Sequence, residues 1–431
     1  MSASIKWPIV RLETLAQSKK NAIVGGPFGS NLVSADYVEE GVPVVRGVNL
    51  PKDASFSCDR LVFVSESKAD SLKQNLATPG DLIFTQRGTL GQVGIAPHGT
   101  PYDRFLISQS QMKMSVDQGK CDPRYLYYFF RMSSTVDYIH NHALQSGVPH
   151  INLGILRRFE VVCPPVDVQR TIAGVLTAYD DLIENNKRRI TLLETMSEEI
   201  YREWFVRFRF PGWQEAEFEK GLPVNWQTSG LGQIAKFVMG QSPKSEFYNR
   251  NGDGLPFHQG VGTFGKRFPT NEVYCSVSSR EAKTGDVLFS VRAPVGRLNI
   301  AMEHMVIGRG LSAVRHRRGC QSYLYYLLST AFSNEDIIGN GAIFNAVGKD
   351  ELLSFKVLSP PDDLIDAFEK LVNPIDDQIA GLIRQNEVLE KTKNQLLPRL
   401  ISGKLSVDNL DIQFPPSMQS GESDSADEAA A

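Results

Sequence analysis

Gly260-Val-Gly-Thr-Phe-Gly265 followed by Lys266 has the glycine spacing of a loop that cradles phosphate. Arg267 stands where such a loop needs Ser or Thr, and Pro269 interrupts the helix whose N-terminus would carry the anion, so the match is set aside. The five cysteines (Cys58, Cys121, Cys163, Cys275, Cys320) have no CxxC spacing, and the seven histidines form no HExxH pair. No metal site is expected from either set. The sequence has no GxSxG elbow, no cysteine in a catalytic context and no Asn/Asp-Pro-Pro-aromatic run of an amino-methyltransferase. Carboxylates on the helical stretches fall at surface spacings, and no catalytic residue is expected.

Polar and basic groups in glycine-bearing loops remain. Arg87 and Arg292 each precede a glycine by four residues, in Arg87-Gly-Thr-Leu-Gly91 and Arg292-Ala-Pro-Val-Gly296. A guanidinium beside a flexible backbone suits close approach to a phosphate or a base edge. The alternative is a structural arginine paired with Asp81 or Asp286. Arg46 and Gln259 hold equivalent positions; arginine favours guanine edges and glutamine adenine edges, so the exchange could change a sequence that is read. It could equally be surface variation. Gly25-Gly-Pro-Phe-Gly-Ser30 reads as a backbone nest or a turn. The candidates for nucleic-acid contact are therefore Phe28, Ser30, Arg46, Arg87, Thr89, Gln92, Gln145, His150 and Asn152 in the first half. In the second half they are Gln241, Lys244, Gln259, Arg292, Arg297 and Asn345. Tyr125–Phe130 and Tyr323–Leu328 could stack on bases, but their aliphatic neighbours predict buried helices.

The elements that position these residues come in duplicate. Pro79-Gly-Asp-Leu-Ile-Phe returns as Thr284-Gly-Asp-Val-Leu-Phe, Tyr125-Leu-Tyr-Tyr128 as Tyr323-Leu-Tyr-Tyr326, Val161-Val-Cys-Pro-Pro165 as Val357-Leu-Ser-Pro-Pro361, and Asp180-Asp181 as Asp376-Asp377. Gly41–Gly47 returns as Gly254–Gly260, and Trp7 as Trp226. The offsets fall steadily along the chain, from 219 at the tryptophans to 196 at the paired aspartates. That order marks a tandem duplication with small loop insertions and deletions.

Each copy opens with a Gly- and Pro-rich part carrying short β-type runs (Val42–Val48, Leu82–Phe84, Val287–Phe289, Phe355–Leu358) and closes with a helical part. Apolar residues recur at helical spacing at Ile172, Leu176, Tyr179, Ile183, Ile190, Leu193 and Ile200. A second seam runs through Ile365, Phe368, Val372, Ile375, Ile379, Leu382, Leu389 and Leu396. Asn186 and Asn386 lie on these seams, as polar residues do where they fix register. Packing of each helix on its own globular part is the alternative to pairing. Asn373-Pro374 before Asp376-Asp377 predicts a fresh helix start, hence a kink. The divisions are 1–165 and 220–361 for the globular parts, 166–219 and 362–410 for the helical ones, and 411–431 for an acidic, disordered tail.

Hydrophobic residues at 42% and charged residues at 22% fit a globular chain. No run approaches about 18 apolar residues, so no membrane span is expected, and dispersed cysteines suit a reducing cytoplasm. The net charge of −3 hides an alternation: +3, −4, +6 and −8 over the two globular and two helical parts in chain order, the tail counted with the last. Two weakly positive parts joined by long helices fit a reader of two half-sites on DNA; one helical turn of about 34 Å lies within the reach of such helices.

The ordered motifs resemble the specificity subunit of a Type I restriction-modification enzyme over essentially the whole chain to about residue 410. The resemblance is carried by Gly26-Pro-Phe-Gly-Ser30, Pro79-Gly-Asp-Leu, Arg87-Gly-Thr-Leu-Gly91, Ile151-Asn-Leu, Pro164-Pro165 leading into Gln169-Arg-Thr-Ile-Ala-Gly-Val-Leu, and Leu222-Pro-Val-Asn-Trp226. Their duplicated order is specific where no single motif is. The second copy departs in having Ala293-Pro294 for Gly88-Thr89, and Gly240-Gln-Ser-Pro243 for Gly-Pro-Phe-Gly. The resemblance implies an α+β fold with two target recognition domains, each reading half of a bipartite asymmetric site in double-stranded DNA. It implies long helices that pair as an antiparallel coiled coil, set the spacer and dock two DNA-methyltransferase subunits, with two motor-nuclease subunits completing the complex. S-adenosylmethionine, ATP and magnesium then belong to the partners, and the chain itself binds no cofactor. A specificity chain serving a methyltransferase alone, an enzyme with an unrecognised active site, and a coiled-coil adaptor that binds only protein remain as other readings.

Overall fold

The computed structural model describes residues 7–143, 149–332, 346–408 and 410–419. Two compact units emerge: residues 1–187 with 384–431, and residues 188–383. Each holds a sheet domain and a portion of each of two long helices, α1 (Val166–Tyr201) and α2 (Asp362–Ile401). The fold is α+β and duplicated.

Strand order shows the duplication directly. In the first unit a four-stranded antiparallel sheet runs Ile23–Gly25, Gln111–Met114, Leu82–Thr85, Val93–Ile95; in the second, Ala235–Met239, Leu311–His316, Val287–Ser290, Leu298–Ile300. A five-stranded mixed sheet accompanies each, with one parallel pairing in the same place: Val44 opposite Leu106, and Phe257 opposite Val306. A two-stranded ladder closes each domain, joining Ile9–Arg11 to Glu160–Val162 and Gln227–Gly230 to Lys356–Ser359.

The repeated motifs are explained by these contacts. Gly80 and Gly285 adopt φ of +89° and +83°, a region open to glycine at little cost. The aspartate that follows each closes the turn: Asp81 accepts from the Thr78 amide at 3.0 Å and Asp286 from the Lys283 amide at 2.8 Å. The Tyr-Leu-Tyr-Tyr and Asp-Asp motifs meet each other. Helix Pro123–Arg131 is buried from Tyr125 to Phe130, and the Tyr128 hydroxyl donates to Asp180 of α1 at 2.7 Å. Helix Gln321–Ala331 buries Tyr323 and Tyr326, and the Tyr326 hydroxyl donates to Asp376 of α2 at 3.3 Å. These aromatic runs are core, so base stacking is excluded for them.

The two packing alternatives for the seams both hold, in different stretches. In the first unit Ile172 and Leu176 enter the sheet-domain core together with Leu397, Leu400 and Ile401, and Leu396 packs beside them. Further along α1, Ile183 is buried, Tyr179 half-buried, and buried Asn186 donates to Asn386 at 2.9 Å and to Gln385 at 3.2 Å; Leu389 is half-buried. Lys393 of α2 pairs with Asp180 of α1. The pairing is antiparallel, because Asp180 meets Lys393 whereas Asn186 meets Asn386. In the second unit Ile190 clusters with Ile379 and Leu382, flanked by Leu193 and Ile375. Ile200, Tyr201, Phe205, Ile365, Phe368 and Val372 pack in the second sheet-domain core.

Two expectations are corrected. Helix α2 continues through Asn373-Pro374 without a fresh start. Proline removes one backbone donor and normally breaks a helix interior; here Val372 and Ile379, both fully buried, anchor the helix on either side. The stretch from 411 is not wholly a disordered tail either. Ser417 donates to Asp181 at 2.7 Å, Arg124 donates to the Ser417 carbonyl, and Met418 is buried. Ile412 and Phe414 lie over Gly174, where a Cβ would stand 2.9 Å from Ile412. Three apolar residues within an acidic run supply that contact; residues 420–431 lie outside the described part.

Asn186 tests the pairing. Replacing it by Leu strands the buried side of Asn386, at a cost of about 1–3 kcal/mol. The double substitution N186L/N386L should recover most of that loss in thermal unfolding. Additive losses would show that the two amides do not depend on each other.

Candidate nucleic-acid interface

One set of strand ends gathers the first unit's candidate loops. The strands ending at Gly25, Val45, Thr85 and Ile107 and the strand starting at Gln111 open onto one cluster. Gly26 fits against the backbone of Ser108, where a Cβ would stand 1.9 Å from its carbonyl oxygen. Gln109 holds the adjoining loop by donating to the carbonyls of Gly29 and Leu32, both at 2.6 Å. Phe28, 90% exposed, and Ser30 ride on that loop. A Cβ on Gly47 would lie 3.6 Å from both Thr89 and Gln92. Thr89 donates to Gln92, which is half-buried. The backbones of Arg87 and His150 form a bridge.

The candidates are not equally free to act. The Arg46 guanidinium donates to the Arg60 carbonyl at 2.6 Å, so it is partly committed to its own loop. Asn152 caps the short helix Leu153–Arg157 by accepting from the Ile155 amide at 2.9 Å, a structural task typical of the residue. Arg87 is exposed. The structural alternative for the repeated arginines fails: Asp81 pairs with Lys113 at 3.4 Å, and Asp286 pairs with Arg315. Gln145 lies outside the described residues.

The second unit repeats the scaffold with different polar ends. Gly240 packs on Gly308, and the Gln241 amide donates to the Ile307 carbonyl at 3.0 Å. Ser242 donates to Gln259 at 2.8 Å and accepts from the Arg309 amide at 3.2 Å. Gly308 and Gly310 both fit against Gln259; a Cβ at either would stand 2.6 Å from it. Val291 donates to the Gly310 carbonyl, and exposed Arg292 forms a backbone bridge with Ala346. Arg297, also exposed, follows at the other end of the 291–297 loop, its amide held by Ser290 at 2.8 Å. Lys244 is exposed and 3.8 Å from Glu246, which offsets its charge. Asn345 lies outside the described residues.

Gln109 and Arg309 were missed by sequence reasoning. They hold equivalent places in the turns Ser108–Ser110 and Gly308–Gly310, and both sit within their clusters; Arg309 is exposed. A signal existed: Phe105-Leu-Ile107 and Met305-Val-Ile307 match at an offset of 200, which continues the falling series. The phosphate-loop lookalike at Gly260–Lys266 forms a short 3-10 turn at Val261–Thr263 and then a tight hairpin, with no helix to receive an anion. Among the described residues no group of three metal-ligating side chains occurs, and no helix is long and apolar enough to cross a membrane.

Comparison with known proteins bears on this arrangement. The family described as "Type I restriction modification DNA specificity domain" matches residues 6–195. A putative Type I restriction enzyme MjaX specificity subunit from Methanocaldococcus jannaschii is 28% identical over 377 residues, spanning 85% of this chain and 88% of the relative. The MjaIX specificity subunit from the same organism is 25% identical over 370 residues, 80% and 82% of the two chains. The crystal structure of a Type I restriction-modification system S subunit from M. genitalium shares the fold at a TM-score of 0.60 and 16% identity, covering 93% of this chain and 97% of that one.

Beneath Gln259 sits His258, fully buried, its ring nitrogens 2.8 Å from the Thr263 hydroxyl and 3.0 Å from the Asn271 carbonyl oxygen. Burial lowers its pKa below the ordinary 6.5. His316 in the same unit, also buried, accepts from the amides of Arg318 and Cys320, and burial pushes it down to about 4. Histidines depressed in the folded state contribute stability above their unfolded value that is lost as pH falls below it. Acidification from pH 7.5 to 5 should therefore destabilise the second unit, by about 2 kcal/mol through His316 alone. Thermal melts should show the drop and H316Q should flatten it; an unchanged pH slope in H316Q would refute the assignment.

Proposed function

We propose that this chain is the non-catalytic DNA-specificity subunit of a Type I restriction-modification complex, each sheet domain reading one half of a bipartite, asymmetric duplex site. The observation that carries this reading is the duplicated loop cluster on one scaffold with two polar inventories. Arg46, Arg87, Thr89, Gln92 and Gln109 in one copy correspond to Gln259, Arg292 and Arg309 at the equivalent places or beside them in the other. Direct readout depends on which donors and acceptors meet the base edges, so unlike inventories select unlike half-sites. Phe28, Ser30, Gln241, Lys244 and Arg297 complete the proposed contact surface, with His150 behind it.

The long helices set the spacer in this reading. A 36-residue helix is about 54 Å long at about 1.5 Å per residue, more than one turn of duplex at about 34 Å. Two DNA-methyltransferase subunits dock on the helices and two motor-nuclease subunits complete the restriction complex. S-adenosylmethionine, ATP and magnesium are assigned to those partners, in the cytoplasm.

Selection from a randomised duplex pool, with the chain co-purified with its methyltransferase partner at near-physiological salt, should return two unlike half-sites separated by a fixed, unread gap. Arg87→Ala and Arg292→Ala should each weaken a different half-site, by about 1–3 kcal/mol. A stable complex that enriches no motif would leave a protein adaptor in place of a reader.

A further inference from the structure

The repeated aspartates Asp180 and Asp376 take equivalent tyrosine partners, Tyr128 and Tyr326, but different cations. Asp180 is paired with Lys393 of the opposite helix; Asp376 is paired with Arg267, which belongs to the sheet domain. Arg267 is 3% exposed. Its guanidinium lies 4.8 Å from the Tyr325 ring centroid and donates to the Tyr326 hydroxyl at 3.3 Å. A buried arginine engaged with a carboxylate, a hydroxyl and an aromatic face is held in one orientation, because its planar fork matches few others.

Arg267 is the tip of a tight hairpin. Phe264 bridges Pro269, the Gly265 amide donates to the Phe268 carbonyl at 3.1 Å, and a Cβ on Gly265 would stand 2.5 Å from that same oxygen. Lys266 at the same tip pairs with Glu194 of α1. The hairpin is joined to Gln259 by a short, cross-braced segment. Thr263 accepts from the Thr270 amide at 2.8 Å and bonds His258, and the Gly310 amide donates to the Gln259 carbonyl at 3.1 Å. Seven residues separate Gln259 from Arg267, so a fixed tip fixes the loop.

We infer that Arg267 is a positioning residue of the second recognition domain: its contacts with Asp376 and Tyr326 anchor the loop bearing Gln259 to helix α2, and thereby set how that loop meets DNA. This rests on the DNA-reading role proposed above. It also gives a use to the glycine-rich run whose spacing resembles a phosphate loop: the glycines shape a turn and a hairpin, and the basic tip grips protein.

The test uses the full-length chain in complex with its methyltransferase partner, with selection from a randomised duplex pool as the readout. R267M should reduce discrimination at the second half-site about tenfold and leave the first within about twofold, a change on the scale of one mismatched base pair. The volume-matched double variant R267M/D376L removes both buried charges, so it should restore thermal stability to near wild type. It should still fail to restore second-half discrimination, which separates positioning from charge balance and keeps the test valid if R267M alone folds poorly. Recovery of wild-type discrimination in the double variant, or equal loss at both half-sites, would overturn the inference. A wild-type complex that enriches no motif would overturn the reading of DNA itself, an outcome distinguishable from either.

Discussion

An apolar seam that runs the length of a long helix must be covered throughout, and this requirement organises both units. Neither helix can cover its own seam, and neither sheet domain is long enough to cover all of it. In each unit the stretch nearest the sheet domain is absorbed by that domain's core, as at Ile172 and Leu176 or at Phe368 and Val372, and the remainder is covered by the other helix, as at Ile183 or Ile379. Within each unit, helix pairing and domain packing therefore share the burial of the seam. Hydrophobic area removed from water supplies the driving force without directing it; direction comes from the few polar groups embedded along the way.

Those polar groups divide into what the duplication preserved and what it changed. The turn aspartates, the tyrosine-to-aspartate contacts and the strand order are retained in both copies, because each satisfies backbone or side-chain polar atoms that folding takes out of water. The loop ends carry no such burden. Gln109 and Arg309 occupy the same turn, yet one spends its amide on neighbouring carbonyls and the other extends a charge into solvent. A scaffold that holds its geometry through interior contacts leaves its rim free to vary, which suits the proposed role of two domains built from one ancestor.

Much of this was legible in the sequence because it is local or repeated. Helical periodicity announced α1 and α2, and the ordered offsets announced a duplicated domain before any strand was placed. Short β-type runs at Leu82–Phe84 and Val287–Phe289 became central strands for the same reason. Pro374 misled because proline's penalty is a local rule, whereas the burial of Val372 and Ile379 that carries the helix past it is a tertiary fact. The stretch from 411 misled because acidic composition masks Ile412, Phe414 and Met418. Arg87 and Arg292 were found with two readings open, and the pairing of Asp81 with Lys113 and of Asp286 with Arg315 removed the structural one. Asn152 shows the converse: a polar residue in the right loop that serves as a helix cap. Arg267 was visible as a residue but not as an anchor, since Asp376 lies 109 positions away.

Buried charge is a poor source of stability, because removing two ions from water costs nearly what their attraction returns. Asp180 and Asp376 are therefore better understood as orienting groups. Burial raises the pKa of Asp376, and the Arg267 guanidinium opposes that rise, so the charged form is maintained by geometry that must be correct. An apolar pair in the same place would pack as well in several rotations; a carboxylate shared between a tyrosine hydroxyl and a fixed fork packs in one. Asn186 acts alike between the helices, accepting only the register that brings Asn386 opposite. In the proposed role this matters more than melting temperature. A protein that reads two unlike half-sites across a fixed gap fails when its loops are a few ångströms out of place, even while fully folded.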